Sequence, residues 1–237
     1  MRSSAAERVC VSLLARTTDE LQGLVETAAR AGARLVELRL DGLGPTRIEE
    51  GLEVSRRLGL RHVVTIRPRW EGGLYDGDEE RRISLLKKAA LSADFVDLEY
   101  VTAVENGGLV EVLRESGCRL ILSRHYTDGG PPAAELRAEA ERIFKLSDIV
   151  KIVTRPSRMG DALAHLSLYS EPWARGRLIC FSMGEAWRFT RILCVALGAP
   201  FTYASLPGQA VAPGQPTFEE AVEAVGEVLG SWRFSPC

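Results

Sequence analysis

The stretch Ser12–Glu20, "SLLARTTDE", decides between two folds that both repeat strands and helices. It joins an apolar strand pattern, Arg8–Leu14, to a helical pattern that begins near Asp19. A doubly wound sheet that binds a dinucleotide has a glycine-rich turn at this junction, and no glycine stands here. Thr17 or Thr18 is instead suited to cap the helix, because a hydroxyl oxygen accepts a free backbone N–H. The junction therefore favours a barrel.

The same strand-to-helix unit recurs along the chain, with no change of composition that would mark a linker. Seven further strand patterns follow the first, at Arg34–Leu40, His62–Arg67, Phe95–Tyr100, Arg119–His125, Asp148–Thr154, Leu178–Met183 and Phe201–Leu206. Helical patterns alternate with them, at Asp19–Ala31, Arg47–Leu58, Glu79–Leu91, Val104–Ser116, Ala133–Leu146, Arg158–Tyr169, Ala186–Leu197 and Phe218–Trp232. Strict alternation implies a parallel sheet. Eight units predict a single (β/α)8 TIM barrel over residues 1–237, with an open doubly wound sheet as the alternative.

Composition narrows the class of protein. A net charge of -2 argues against nucleic-acid or anionic-membrane binding, since both usually need a basic patch. No apolar run approaches the ~18 residues that span a membrane, and the N-terminal apolar stretch is too short for a secretory signal. The scattered cysteines predict reduced thiols in a cytoplasmic protein without structural zinc, and they are Cys10, Cys118, Cys180, Cys194 and Cys237.

One strand carries a lysine at its centre. Ser147–Pro156, "SDIVKIVTRP", surrounds Lys151 with apolar β-branched residues, and only four lysines occur in the whole chain. Burying an ammonium group is costly unless the group is paired or neutralised. Lys151 alone could be a salt-bridge partner of Glu99 or Glu37.

Polar residues on neighbouring strands share the face on which Lys151 lies. Side chains alternate along a strand, and the helices must cover the apolar outer face. The period therefore directs these residues into the barrel: Glu37, Arg39, Thr65, Arg67, Asp97, Glu99, Ser123, His125 and Lys151. Each alone is more often a satisfied ion pair or cap, and His62 and His165 are predicted to be structural. Convergence at the C-terminal mouth, where barrel enzymes hold reactive groups, predicts a small-molecule site.

A buried lysine beside a histidine suits one class of chemistry. Desolvation and neighbouring arginines favour the neutral amine of Lys151, which can attack a carbonyl to form a Schiff base. The Schiff base withdraws electrons while His125, on the adjacent strand, removes a proton. Arg39 and Arg67 suit an anionic or polyhydroxyl substrate. These residues predict a Schiff-base lyase or aldolase that acts on a small oxygenated carbonyl acid.

The C-terminal part adds a second indication of an anionic ligand. Arg191 falls about two turns into a predicted helix whose N-terminus carries partial positive charge. The following segment Leu206–Thr217, "LPGQAVAPGQPT", has the composition of a surface loop. It also suits a mobile lid that carries Gln209 or Gln215 over the ligand.

The order of motifs resembles the type I 3-dehydroquinate dehydratase family of the shikimate pathway. The motifs run through nearly the whole chain as "VSL", "VELRLD", "TIRPRWEGG", "VDLEY", "ILSRHY", "DIVKIV", "FSMG", "TR" and "APGQ". The resemblance implies a (β/α)8 barrel, commonly a homodimer, that needs no metal or organic cofactor. It also implies that Lys151 forms a Schiff base with the C3 ketone of 3-dehydroquinate. His125 would take the C2 proton and later protonate the departing C1 hydroxyl, giving 3-dehydroshikimate by syn dehydration.

The resemblance further implies a set of binding residues. Glu37, Arg39 and Arg67 match the family's contacts to the ring hydroxyls, and Arg191 matches its carboxylate-binding arginine. Ser12 and Gln215 match further substrate contacts, and Glu71 matches an acidic residue that orients the histidine. The chain departs from the family at three positions, since it has Val211 and Thr190 where serine is usual and Trp187 where glycine is frequent.

Two rival functions follow from the same residues. A class I aldolase that acts on a keto acid or sugar phosphate would share Lys151 but would not require His125, Glu37 and Arg39. A non-catalytic metabolite-binding barrel would use Lys151 only as an ion-pair partner, and it would have no use for a general base.

Overall fold

Eight parallel strands form a nearly closed barrel in the computed structural model, which describes residues 2–231. The strands are β1 Val9–Leu14, β2 Leu35–Arg39, β3 Arg61–Thr65, β4 Phe95–Glu99, β5 Arg119–His125, β6 Ile149–Thr154, β7 Leu178–Ser182 and β8 Thr202–Ala204. Neighbours in the chain are neighbours in the sheet, and β8 returns to pair with β1. Within the described residues no ladder joins β7 to β8. The predicted TIM-barrel fold is confirmed.

Helices separate the strands and cover the outside of the barrel. They are α1 Arg2–Ala6, α2 Thr18–Arg30, α3 Ile48–Arg56, α4 Glu79–Ala90, α5 Tyr100–Glu105, α6 Leu109–Glu115, α7 Ala133–Leu146, α8 Met159–Leu166, α9 Arg188–Ala196 and α10 Phe218–Ser231. Thr17 caps α2, because its Oγ1 accepts a hydrogen bond of 3.2 Å from the Glu20 N–H. Trp232, the predicted end of the last helix, and Cys237 lie outside the described residues.

Two helical predictions differ from the structure. The pattern Val104–Ser116 predicts one helix, but α5 and α6 are separate, because Gly108 between them has a φ of +81° that a right-handed helix does not allow. The predicted start of the seventh helix at Ala186 is also too early. A 3₁₀ turn, Glu185–Trp187, precedes α9, so Arg191 lies in the first turn of that helix instead of two turns in.

The strand period sorts side chains as predicted. On β2, Val36 and Leu38 are fully buried beneath the helices, where each apolar side chain stabilises the fold by about 1.5–3 kcal/mol. Glu37, between them, points into the barrel and bonds to Ser12 and Thr65 from the neighbouring strands. The strand register therefore places inward-facing residues of neighbouring strands next to one another, as it does for Ser12 and Glu37.

The residues that the sequence predicts to be structural have packing partners. His62 Nε2 lies 2.8 Å from Ser55 Oγ, and His165 Nδ1 lies 2.9 Å from Thr154 Oγ1. The cysteines at positions 10, 118, 180 and 194 are buried and free. Over residues 2–231, no helix combines the length and apolar character needed to cross a membrane.

Candidate active site

A cavity of about 250 Å³ opens at the mouth of the barrel, at the C-terminal ends of the strands. The residues to which the family resemblance assigns a role all line it: Ser12, Glu37, Arg39, Arg67, Glu71, His125, Lys151, Arg191 and Gln215. Gln209 is exposed and is not among the lining residues. Within the described part of the chain, no group of three His, Cys, Asp or Glu side chains could hold a metal ion.

Lys151 is the centre of the charged contacts, and its side chain is 5% exposed. Its Nζ lies 2.8 Å from Asp97 Oδ2, 3.6 Å from Glu37 Oε1 and 4.1 Å from the centroid of the Tyr203 ring. Arginines do line the same cavity, as expected, but the ion-pair partners of this amine are two carboxylates. A salt bridge to Glu37 is confirmed, and the alternative partner Glu99 is wrong. Two carboxylates beside one amine can stabilise a cation formed there.

Asp97 is one of the residues that the strand period directs into the barrel but to which the family resemblance assigns no role. Besides Lys151, its carboxylate accepts hydrogen bonds of 2.6 Å from both Arg67 Nη2 and Ser123 Oγ. Burial by itself raises the pKa of Asp97, but Arg67, Lys151 and His125 outweigh burial and hold that pKa well below its ordinary value. Its position on the inward face of β4 was the available signal. Asp97 is therefore a fixed negative charge beneath the amine.

Arg67 contacts side chains from β4, from β5 and from the turn after β3. Its Nη1 donates to Glu99 and, over 2.8 Å, to Ser123 Oγ, and it lies 3.5 Å from Glu71 Oε2. Glu99 pairs with arginines and not with Lys151, since it also accepts a 2.6 Å hydrogen bond from Arg82 Nη1 on α4. Protein acceptors therefore occupy most of the donors of Arg67.

His125 is oriented by Glu71. Glu71 ends the 3₁₀ turn Arg69–Glu71 after β3, and its Oε2 lies 2.9 Å from His125 Nδ1 and 3.2 Å from the His125 backbone N. Burial, Arg67 and Lys151 lower the pKa of His125 well below its ordinary value. Nδ1 therefore carries the hydrogen that Glu71 accepts, and Nε2 is left as a basic nitrogen.

Opposing effects act on the pKa of Glu71. Burial raises its pKa to about 7, although Arg67 and Arg124 act to lower it. The side chain is fully buried, and its other oxygen, Oε1, accepts a 3.2 Å hydrogen bond from Arg124 Nη1. Its ionisation is consequently sensitive to the arginines around it.

The predicted hydroxyl binders also have protein partners. Glu37 accepts hydrogen bonds from Ser12 Oγ at 2.7 Å and Thr65 Oγ1 at 2.9 Å. Arg39 is held by a two-pronged contact to Asp41, with Nε at 2.9 Å and Nη2 at 2.7 Å from its oxygens. These bonds fix each side chain before a ligand arrives, which limits the entropy lost on binding.

Arg191 has no such partner. It is 2% exposed, and among the described residues no carboxylate lies within 4 Å of it. Its buried Nε makes no hydrogen bond to any described residue, and its Cζ lies 4.3 Å from the centroid of the Phe181 ring. Burial lowers the pKa of Arg191 to about 10, so the guanidinium is still cationic at neutral pH. A buried, unpaired cation that faces a cavity suits an anionic ligand.

The lid, Leu206–Thr217, covers the same side of the cavity. Gln215 ties it down, since its Oε1 accepts from the Val211 N–H and its Nε2 donates to the Ala204 carbonyl, both at 2.9 Å. Gly214 N donates to Glu185 Oε1 at 2.9 Å, which links the lid to the segment after β7. The side chain of Gln215 thus holds the lid in place.

The family can now be compared with this geometry. The family model for type I 3-dehydroquinase matches residues 9–229, which is nearly the whole barrel. The chain belongs to the type I 3-dehydroquinase family.

Individual members of the family agree with this assignment. The 3-dehydroquinate dehydratase of Methanopyrus kandleri is 36% identical over 224 residues, which cover 94% of this chain and 100% of that protein. The crystal structure of 3-dehydroquinate dehydratase from Aquifex aeolicus VF5 has a TM-score of 0.78 at 27% identity, covering 95% of this chain and 99% of that one. The Geobacillus kaustophilus HTA426 structure has a TM-score of 0.87 at 23% identity, covers 96% and 93% of the two chains, and shows the shared fold.

The three departures named above are Val211, in the loop after β8, and Trp187 and Thr190, around the start of α9. Val211 is among the lining residues, and it offers only its backbone to Gln215. Thr190 is buried, accepts from the Ser182 N–H at 3.0 Å and donates to the Trp187 carbonyl at 2.7 Å. Thr190 thereby ties the start of α9, and so Arg191, to the end of β7.

Proposed function

We propose that this chain dehydrates 3-dehydroquinate to 3-dehydroshikimate through a Schiff base on Lys151. The observation that carries the proposal is the meeting of three groups at one cavity: a lysine paired with carboxylates, a histidine with a free Nε2, and an unpaired buried guanidinium. Family membership supports the dehydration and its place in the shikimate pathway. The Schiff-base route is the part that the site chemistry adds.

The covalent step begins at Lys151. The amine, after its ammonium gives up a proton, attacks the C3 ketone, and the ketone oxygen becomes the hydroxyl of a carbinolamine as a proton moves to it from the nitrogen. The proton that the ammonium gave up is returned to this hydroxyl, the C–O bond breaks, and one water molecule leaves a protonated imine. Asp97, at 2.8 Å from Nζ, and Glu37, at 3.6 Å, stabilise the positive charge of that imine in the same way as they stabilise the ammonium. The pair of carboxylates thus favours the intermediate that withdraws electrons from C2.

The elimination step uses His125. Nε2 takes the proton from C2, and the electrons of that C–H bond pass to the imine to form an enamine. Glu71, which accepts the Nδ1 hydrogen at 2.9 Å, stabilises the resulting imidazolium. The imidazolium then protonates the C1 hydroxyl, the C–O bond breaks and water departs. Hydrolysis of the imine returns Lys151 and releases the conjugated enone.

The remaining lining residues are proposed to bind the substrate. Its carboxylate would pair with Arg191, the cation without a protein partner. Its hydroxyls would meet Glu37, Arg39, Arg67 and Ser12, with Gln215 acting through the lid. The protonated imine on Lys151 withdraws the electrons, so this route calls for no metal or organic cofactor.

Two measurements test the proposal. 3-Dehydroquinate should produce an ultraviolet absorbance from the conjugated enone, and borohydride added during turnover should leave a covalent adduct on Lys151. Intact mass and peptide mapping would locate that adduct, with Lys145→Arg as a control that leaves the reaction unaltered. An unchanged mass after borohydride, with product still formed, would eliminate the Schiff base. Tight binding of substrate without product would instead favour the non-catalytic barrel.

Further proposals rest on the resemblance to the family for the oligomeric state, and on the cysteines and the net charge for the compartment and the classes of partner. We propose that the chain forms a homodimer and works in the cytoplasm, with no nucleic-acid or membrane partner. Light scattering coupled to size exclusion would give a mass near twice 26.0 kDa for the dimer. A mass near 26.0 kDa at micromolar concentration would contradict it.

A further inference from the structure

We infer that Arg124 is a positioning residue, which holds Glu71 ionised and in place against His125. This inference rests on the proposed function, since it concerns the base of the same reaction. Arg124 precedes His125 on β5, and strand alternation sends its side chain away from the cavity. It therefore acts on the chemistry only through Glu71.

The contacts of Arg124 form a short chain from the protein surface to the histidine. Its side chain is 27% exposed, and its Nη1 donates to Glu71 Oε1 at 3.2 Å. On its other side, Nε lies 3.7 Å from Glu139 Oε1 on α7, and Cζ lies 5.0 Å from the centroid of the Tyr126 ring. The Tyr126 hydroxyl donates to Glu139 as well. The guanidinium thus lies between a carboxylate on α7 and Glu71, and it is hydrogen-bonded only to Glu71 of these two, since its buried Nε makes no hydrogen bond among the described residues.

Two arginines hold down the pKa of Glu71, Arg67 with the larger effect and Arg124 with the smaller. The charged groups that face it are Arg67 from the end of β3, Glu99 from β4, and Arg124 and His125 from β5. Arg67 is the more distant of the two arginines, at 3.5 Å, and it is shared with Glu99, Asp97 and Ser123. Glu99 repels a negative charge on Glu71. Arg124 is therefore the cation whose closest carboxylate is Glu71.

Removing Arg124 should change when Glu71 loses its proton. Burial already brings the pKa of Glu71 to about 7, and Arg124 is one of the groups that keep it from rising further. Without the guanidinium, Glu71 stays protonated to a higher pH. A neutral carboxyl orients His125 less firmly and stabilises its imidazolium less, so turnover falls at neutral pH. Raising the pH ionises Glu71 again and should restore turnover.

The test compares kcat and KM across pH 5.5–9.5 for the wild type, Arg124→Met, Arg124→Lys and a matched control. Arg137→Met is that control, because it removes another arginine that is paired with a glutamate, on α7 and away from the cavity. We expect Arg124→Met to move the acidic limb of the kcat profile upward by about half a pH unit to one unit, the usual worth of a partly exposed charge contact. KM should stay within about two-fold, and Arg124→Lys should restore most of the shift. A merely structural role would lower kcat equally at every pH.

A second readout does not depend on turnover. The ring signals of His125 in heteronuclear NMR report its tautomer, and Arg124→Met should weaken the preference for a hydrogen on Nδ1 at pH 6–7 while leaving His62 unchanged. A wild-type kcat profile together with wild-type His125 signals in folded Arg124→Met would overturn the inference. If that variant does not fold, Glu139→Gln, which removes the competing carboxylate on α7 and leaves Arg124 to Glu71, should move the same limb slightly downward, and no shift would count against the inference. Failure of the wild type to form the enone would instead refute the proposed function.

Discussion

The two walls of the cavity differ in whether their charged residues have partners of opposite charge. On the wall built by β2–β6, here the paired wall, Glu37, Arg67, Asp97 and Lys151 all have partners of opposite charge. On the wall built by β7, β8 and α9, here the open wall, Arg191 is buried without any carboxylate within 4 Å among the described residues. The paired wall is complete in the free protein. The proposed function has the substrate carboxylate complete the open wall.

This difference indicates that binding of an anion and the chemical steps depend on different sides of the cavity. Breaking a buried ion pair costs about 3–5 kcal/mol, because one charge is left uncompensated. The paired wall avoids that cost and holds its groups in fixed geometry, as a reaction with moving protons requires. The open wall leaves one charge uncompensated until an anion arrives, so binding relieves an existing penalty. Changes at Lys151 and His125 on the paired wall should therefore alter kcat, and changes at Arg191 on the open wall should alter mainly KM.

The largest effect is expected at Lys151. Lys151→Arg retains a cation for Asp97 and Glu37 but cannot form an imine, so kcat should fall by about 10⁴–10⁶-fold, the scale seen when a nucleophile is removed. Stopped ultraviolet assays at high enzyme concentration would measure it. Thermal unfolding should show the variant folded, and a loss of less than ten-fold would mean that the amine is not the nucleophile.

The next effect is expected at His125. His125→Ala removes the base while Asp97 and Lys151 stay paired, and kcat should fall by about 10²–10⁴-fold with KM little changed. The borohydride adduct should still form, since imine formation at Lys151 does not need this histidine. Normal turnover would remove His125 from proton transfer.

A pair of variants then sets the two walls against each other. Arg67→Met leaves Asp97, Glu99 and Glu71 without their shared cation, and it should lower the free energy of unfolding by about 3–5 kcal/mol. Arg191→Met removes an unpaired buried cation, and it should leave that free energy unchanged or raise it while KM rises by roughly 10–100-fold. Urea unfolding and steady-state kinetics would measure both. A large loss of stability in Arg191→Met would break the comparison.

The smallest effect is expected in the lid. Gln215→Ala deletes the bonds to Val211 and Ala204, each worth about 1 kcal/mol, and KM should rise by roughly 5–30-fold while kcat stays near normal. Gln209→Ala is the matched control, since Gln209 is exposed and away from the cavity lining. An equal KM in both variants would show that the lid does not contribute to binding.

How far the sequence reached can be judged on particular residues. The alternation of strand and helix predicted the barrel, and the period of two predicted that Glu37, Asp97 and Lys151 point inward, because both follow from local covalent geometry. The split of α5 from α6 was missed, since a single glycine with positive φ interrupts an otherwise helical pattern. The position of Arg191 in the first turn of α9 was missed for a related reason, because element ends depend on caps and packing.

Pairing is what the sequence could not determine. It predicted that Lys151 is inside the barrel, but it surrounded the amine with arginines, and it left Asp97 and Arg124 out of the site. Which charge meets which depends on side-chain reach between segments far apart in the chain, such as Asp97 and Lys151 or Glu71 and Arg124. The residues and the faces they occupy were therefore determined by the sequence through local periodicity. Only the tertiary structure decided the partners, because the distance between two charges depends on how the closed barrel brings its strands together.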